Sequence, residues 1–371
     1  MRRRALARAC PAAGQRVHLV INSAAEGVGG AEALARRLHV ALLDRGLGSH
    51  LVGLSGAAPD LPKTTSLALA SPYSPAALPR LARHLARTVR RGHVVHGHLF
   101  PTSAYLVALR RAGLLPDVRL VFTEHSTANR RRGTRLGRVV DPAIYGGMDE
   151  VIAISEGTAA ALAAWMPSVS SRIRVVHNGI ALAAEPFALR PPTSCPRIVS
   201  LGNLRHAKNY GAALEAVALL RDLDFTYEIA GEGPERDTLS ARIETLGLAH
   251  KVRLLGYVDD PRSFLRKADV FFMPSIIEGF GLAAVEAMDA GLPIVASAVP
   301  GLGEVIGDTS CGRLVDPRSP ADMAAGLRAV LTTDAGGREA MGRAAFARAQ
   351  AFDEKVMIEG YLACYRREGA P

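Results

Sequence analysis

The stretch VFFMPSIIEGFGLAAVEAMDAGLPIVA, residues 270–296, decides how the chain is built. Its opening VFFM is the short apolar run of a buried strand, and Pro274 ends it. Gly279 and Gly281 flank Phe280, near which a helix is expected to begin; Gly291 and Pro293 stop that helix, and a second apolar run follows over 293–296. Strand, helix and strand at this spacing make a parallel crossover unit. Glu278 and Glu286 are separated by a little over two helical turns, so both can address one ligand from the same side. The glycines expose the backbone N–H groups of the first turn, where a diphosphate gains from the helix dipole.

Outward from this stretch the same alternation fills the chain. In the first half strands are expected at 17–21, 50–54, 94–98, 119–123, 151–154 and 173–177, with helices between them such as 31–45, 79–91 and 156–165. The pattern restarts at 197–201, 226–230, 252–255, 270–273 and 293–296. A Pro- and Ala-rich segment over 181–196 reads as the linker between two separate sheets. The expectation is an α/β protein of two facing Rossmann-like domains. Each is a doubly wound parallel sheet that offers its carboxyl strand ends to a shared cleft. A length of 371 residues suits two domains of common size.

Composition narrows the class. With 49% hydrophobic and 22% charged residues, the chain is neither disordered nor fibrous. No apolar run reaches membrane-spanning length, roughly 20 residues, and Arg8 and Pro11 interrupt the basic amino end, so export is not expected. Cys10, Cys195, Cys311 and Cys364 lack metal-type spacing and suit reduced thiols in a cytoplasm. The net charge of +10 is uneven: residues 1–190 carry 25 Lys and Arg against 11 Asp and Glu, and the rest carries 20 against 24. Five arginines fall in NRRRGTRLGR, residues 129–138. Such a surface is either simply solvated or attracts an anionic acceptor or membrane face. Nucleic acid is not an expected partner, because aromatics make up only 5% and none interleaves with these arginines.

Other candidate residues sit at strand ends. Gly27, Gly29 and Gly30 follow the first strand and let backbone approach a ligand at a helix start, but their spacing is not the dinucleotide fingerprint. His96 and His98 flank Gly97, where they line an acceptor pocket or pair with neighbours. His125 stands in Thr-Glu-His-Ser at another strand end. No histidine–cysteine cluster has metal spacing, and Asp222-Leu-Asp224 reads as a surface turn, so no metal site is expected.

The 270–296 stretch resembles the carboxylate signature of the retaining family 4 glycosyltransferases, which have the GT-B fold. The resemblance extends from about residue 16 to 365: IVSLGNLRHAKN at 198–209 is similar to the family's phosphate loop, AGEGP at 230–234 to its next strand end, and VRLLGYV at 252–258 to its nucleobase loop. VVHNGI at 175–180, VIAISE at 151–156 and TEHS at 123–126 complete it. It implies an acceptor-binding domain over 1–185 and a nucleotide-sugar domain over 186–371, with the final helix packing back on the first domain.

The resemblance also implies roles. Glu278 would lie beside the donor sugar and Glu286 would hold the ribose hydroxyls. The amides of Phe280, Gly281 and Leu282 would hold the diphosphate, with Lys208 neutralising its charge. The family's arginine position is Asn203 here, and Arg205, two residues on, is the candidate replacement. Gly231 and Glu232 would edge the cleft, and Tyr257 and Val258 would contact the base. In the first domain Gly29 and Gly30 fit the loop over the donor, and His125 reaches the transferred sugar. His96, His98, Arg130 and Arg131 are acceptor candidates. The implied activity is retaining transfer of a hexose-type sugar from a nucleoside-diphosphate sugar to a lipid-linked, phosphorylated, polysaccharide or small-molecule acceptor. No cofactor or metal is expected, and the place is cytoplasmic or peripheral at an anionic membrane. A nucleotide-sugar epimerase on the same fold, or a non-catalytic nucleotide-sugar-binding protein, is the alternative.

Overall fold

The computed structural model describes residues 15–25, 29–129, 131–185, 187 and 193–366. The chain divides into two compact units: residues 1–178 with 355–371, and residues 179–354. The chain therefore leaves the first unit and returns to it at the end.

The first unit holds seven strands: β1 (Arg16–Ser23), β2 (Gly48–Ser55), β3 (Thr64–Leu69), β4 (Val94–His98), β5 (Arg119–Glu124), β6 (Glu150–Ala153) and β7 (Ile173–Val175). They form one parallel sheet in the order β3-β2-β1-β4-β5-β6-β7. The central strands are buried on both faces, which is why they read as nearly continuous apolar runs. One face is closed by helices that bring Leu81, Leu85, Leu106, Ile144 and Leu162 onto Val20, Val95 and Phe122. The other is closed by Leu34 and Leu38 of helix Gly30–Asp44, and by Met357, Ile358, Tyr361, Leu362 and Tyr365 of the last helix.

The second unit holds β8 (Arg197–Leu201), β9 (Thr226–Ala230), β10 (Val252–Gly256), β11 (Val270–Met273), β12 (Ile294–Ser297) and β13 (Gly312–Val315). Their order is β10-β9-β8-β11-β12-β13, again parallel throughout. Two strands had no counterpart in the sequence reading, β3 and β13. Both lie at a sheet edge. β3 (TTSLAL) is mostly half-buried, so its polar residues hide the strand pattern.

The two orders share one consequence. Strand order reverses between β1 and β4 in the first sheet and between β8 and β11 in the second. At such a point the loops leave in opposite directions and open a crevice beyond the carboxyl strand ends, where ligands of this architecture bind.

A separate cluster occupies the amino-end side of the first sheet. His18 Nε2 lies 3.1 Å from His93 Nδ1, and the His50 ring centroid is 5.8 Å from that of His18 and 5.1 Å from that of His84.

Candidate active site

At the reversal point of the second unit, the loop after β8 and the loop after β11 are fastened together. Residues 206–208 make a single tight turn, and Asn209 follows in the left-handed region at φ 58°. That conformation suits asparagine better than most residues. It aims Asn209 Nδ2 at the carbonyls of Pro274, at 3.1 Å, and Pro317, at 2.8 Å. The Ile276 amide donates to the Ala207 carbonyl at 3.0 Å. With the loops so held, Lys208 Nζ donates to Glu278 Oε2 at 2.6 Å. The pair is mostly buried, with side-chain exposures of 23% and 17%.

Beyond Glu278 the backbone turns at Gly281, whose φ of 99° is costly for any side chain. A Cβ there would also come within 2.5 Å of Leu302. Phe280 is buried and meets the Phe352 ring edge-on at 5.3 Å, which anchors the turn. Helix Leu282–Asp289 starts at Gly281 with no side-chain hydrogen-bond cap. Glu286, on the second turn of this helix, is half-buried.

The remaining donor-side candidates lie on the neighbouring loops. Gly231 packs so closely on the loop after β8 that a Cβ would meet the Gly202 carbonyl at 2.1 Å. Glu232 pairs with Arg236 at 2.8 Å on the surface. Arg205 is exposed, and Asn203 with it. Tyr257, just past β10, is 71% exposed, and Val258 is half-buried. Asn209, which makes this geometry, was not among the candidates read from sequence. Tyr210 was also missed: it is buried, its hydroxyl donates to the Gly202 carbonyl at 3.4 Å, and burial pushes its pKa well above 10.

The first unit gathers its candidates at its own reversal point. Gly29 precedes helix Gly30–Asp44, again without a side-chain cap, while Gly27 lies outside the described residues. Asn22, at the end of β1, donates to the Phe100 carbonyl at 2.9 Å and accepts from Thr102 at 2.9 Å, which fixes the loop after β4. His96 is fully buried: Nδ1 meets the Tyr365 hydroxyl and Nε2 the Thr123 hydroxyl, each at 2.8 Å. No ring nitrogen is left for a ligand. His98 is equally buried, and its Nδ1 is 3.1 Å from His125 Nε2. His125 is half-buried. Burial lowers His96 and His125 to about 3 and His98 well below 6.5, so all three rings are neutral.

Arg130 lies outside the described residues. Arg131 turns inward: its Nε donates to the buried Asp141 at 2.8 Å and its guanidinium lies 3.9 Å above the Phe100 ring. Arg132 approaches Glu124 at 3.2 Å, and Glu124 also accepts from the Tyr145 hydroxyl at 2.5 Å. Two of the five arginines in the basic run are therefore structural ties.

Comparison with known proteins settles the family. The model of glycosyl transferases group 1 matches residues 183–348, and that of Glycosyltransferase Family 4 matches residues 28–184. A glycogen synthase of Mycobacterium tuberculosis is 32% identical over 298 residues, covering 76% of this chain and 71% of that one. The chain belongs to the group 1 glycosyltransferases. A D-inositol 3-phosphate glycosyltransferase of Arthrobacter sp. is 31% identical over 304 residues, 74% of this chain and 71% of that one. Among solved structures, sucrose-phosphate synthase of Thermosynechococcus elongatus superposes with a TM-score of 0.81 at 23% identity, over 95% of this chain and 98% of that one. Anabaena HepE in complex with UDP and glucose gives 0.79 at 17% identity, over 94% and 98%. This glycosyltransferase has the GT-B fold and transfers a sugar from a nucleotide sugar. Among its described residues no helix is long and apolar enough to cross a membrane.

Proposed function

We propose that this glycosyltransferase is a retaining, metal-independent enzyme that moves a hexose-type sugar from a nucleoside-diphosphate sugar. The observation that carries the proposal is the Lys208–Glu278 pair at 2.6 Å beside the uncapped start of helix Leu282–Asp289. Transfer breaks the bond between the anomeric carbon and the diphosphate. Negative charge grows on the leaving oxygen, and oxocarbenium character grows on the sugar. Lys208 and the amides of Phe280, Gly281 and Leu282 answer the first, each such donor being worth about 2.7–4 kcal/mol. Glu278 stands beside the sugar and Glu286 takes the ribose hydroxyls. Tyr257 and Val258 frame the base, with Gly231, Glu232 and Arg205 around the phosphates.

The acceptor is proposed from charge. A phosphorylated or lipid-linked acceptor suits the basic first half, and the named relatives add a polysaccharide or a phosphorylated small molecule as chemical classes. Helix Arg135–Tyr145 leaves Leu136 70% and Val139 74% exposed beside exposed Arg135 and Arg138. This supports a peripheral contact with an anionic membrane.

A thermal-shift screen of nucleoside diphosphates and their sugars tests the donor reading. A ligand at 100 times its Kd should stabilise by about 2.7 kcal/mol. Sugar transfer followed by NMR, with EDTA present, should show the donor's anomeric configuration kept. A screen without a single shift, or an altered nucleotide sugar formed without acceptor, would defeat the reading. Binding to anionic vesicles that does not weaken with salt would remove the membrane contact.

A further inference from the structure

The buried histidine pair of the first unit carries an inference of its own. His98 ends β4, and its partner in the sheet register is Thr123 of β5; His125 follows two residues after Thr123. This brings His98 Nδ1 to 3.1 Å from His125 Nε2. His98 Nε2 is also buried, and it has no hydrogen-bond partner among the described residues. The His98 ring is held in place: the His96 ring lies 4.2 Å away, and His96 is itself fixed at both nitrogens by Tyr365 and Thr123. Gly97 between them has no room for a side chain, since a Cβ would come within 2.8 Å of Leu106.

Both rings are neutral, so each carries one proton, and the contact between them uses one. Two arrangements exist. If His125 Nε2–H donates, the proton of His98 must sit on Nε2, as a buried N–H with no acceptor. If His98 Nδ1–H donates, His98 Nε2 is only a bare lone pair. Orphaned buried N–H groups are rarer in proteins than under-satisfied acceptors. The second arrangement wins, and it leaves the proton of His125 on Nδ1. That nitrogen has no hydrogen bond to any described residue, on a side chain that is half-buried.

We propose that His98 is a positioning residue that locks His125 in the Nδ1–H tautomer, so that His125 meets its ligand as a hydrogen-bond donor and not as a base. An unconstrained histidine side chain favours the Nε2–H form, so the lock reverses the intrinsic preference. The ligand class is an oxygen acceptor, such as a sugar hydroxyl; this part rests on the donor reading above.

The test is a long-range proton–nitrogen correlation spectrum of the full chain with 15N-labelled histidine, at neutral pH and without substrate. Wild type should show His125 as the Nδ1–H tautomer. His98→Asn, whose amide N–H replaces the Nδ1–H, should preserve it. His98→Ala should shift His125 to mainly Nε2–H. Turnover of UDP-glucose should fall about tenfold or more in His98→Ala, chiefly in kcat, and recover in His98→Asn. An Nε2–H tautomer for His125 in wild type would overturn the proposal, whatever the fate of the variants. So would an unchanged tautomer in a folded His98→Ala protein. The spectrum needs no donor, so the two readings fail separately. A locked His125 whose replacement by Gln leaves turnover intact would defeat its place at the donor while the tautomer assignment stands.

Discussion

Lys208 and Glu278 are 70 residues apart in sequence, yet their side chains meet at 2.6 Å. The contact exists because Asn209 and Ile276 tie the two loops together on either side of it. A lysine and a carboxylate in mutual contact hold each other in place before any donor arrives. In the proposed reaction, such preorganisation is what a leaving diphosphate requires.

Replacing Lys208 by Ala should therefore lower kcat/KM for donor consumption by about a hundredfold or more, the loss of one preorganised donor. Glu278→Ala should cost a similar factor. The double variant should lose much less than the product of the two, since the residues act as a unit. Steady-state kinetics of all three, with circular dichroism to show an intact fold, decides this; full additivity would mean that the pair does not act together.

Gly281→Ala should weaken the fold as well as the site. Its φ of 99° and the 2.5 Å approach to Leu302 both penalise a methyl group. We expect a loss of about 1–3 kcal/mol. The drop in Tm would be about 2–4 °C per kcal/mol if the second unit melts alone. Calorimetry that finds an unchanged or higher Tm would contradict the geometry.

Tyr365→Phe removes the hydroxyl at 2.8 Å from His96 Nδ1 and leaves a buried nitrogen without a partner. The expected cost is about 1–3 kcal/mol. It should appear in urea unfolding, with donor affinity unchanged, because His96 has no nitrogen open to a ligand. A wild-type midpoint would show that the hydroxyl contributes nothing.

Acid should destabilise the protein earlier than its carboxylates alone would dictate. Burial lowers His18 and His96 to about 3 and His50 to about 4 from 6.5, with neighbouring imidazoles adding to the effect. The unfolded chain thus binds more protons than the folded one between those values. Stability from these groups is full above about pH 6.5 and is lost as pH falls toward 3. Tm should decline from pH 6.5 to 4, and a folded His18→Gln protein should show a shallower decline. A flat profile over that range would refute the burial argument.

The sequence already displayed the central strands, because strands buried on both faces must be apolar throughout. It did not display β3 or β13, where one exposed edge lets polar residues in. Glu278, Glu286 and Lys208 were legible as residue types at helix and loop positions. Asn209 was not, since its role depends on carbonyls 65 and 108 residues away and on a left-handed backbone. His96 was legible as a strand-end histidine, but its partner Tyr365 lies 269 residues away, and nothing local announces that bond. Arg131 looked like a ligand contact in a basic run; Asp141, ten residues on, holds it instead.

The last helix has a further consequence for how the molecule is made. Its Tyr361, Leu362 and Tyr365 belong to the interior of the unit synthesised first. As the chain emerges, β1, β4 and β5 must wait with one apolar face only partly covered until helix Glu354–Tyr365 has been made. The earliest domain to be born is thus the last to be completed. Loss of Tyr361, Leu362 and Tyr365 would injure the amino-terminal unit more than the unit made just before them.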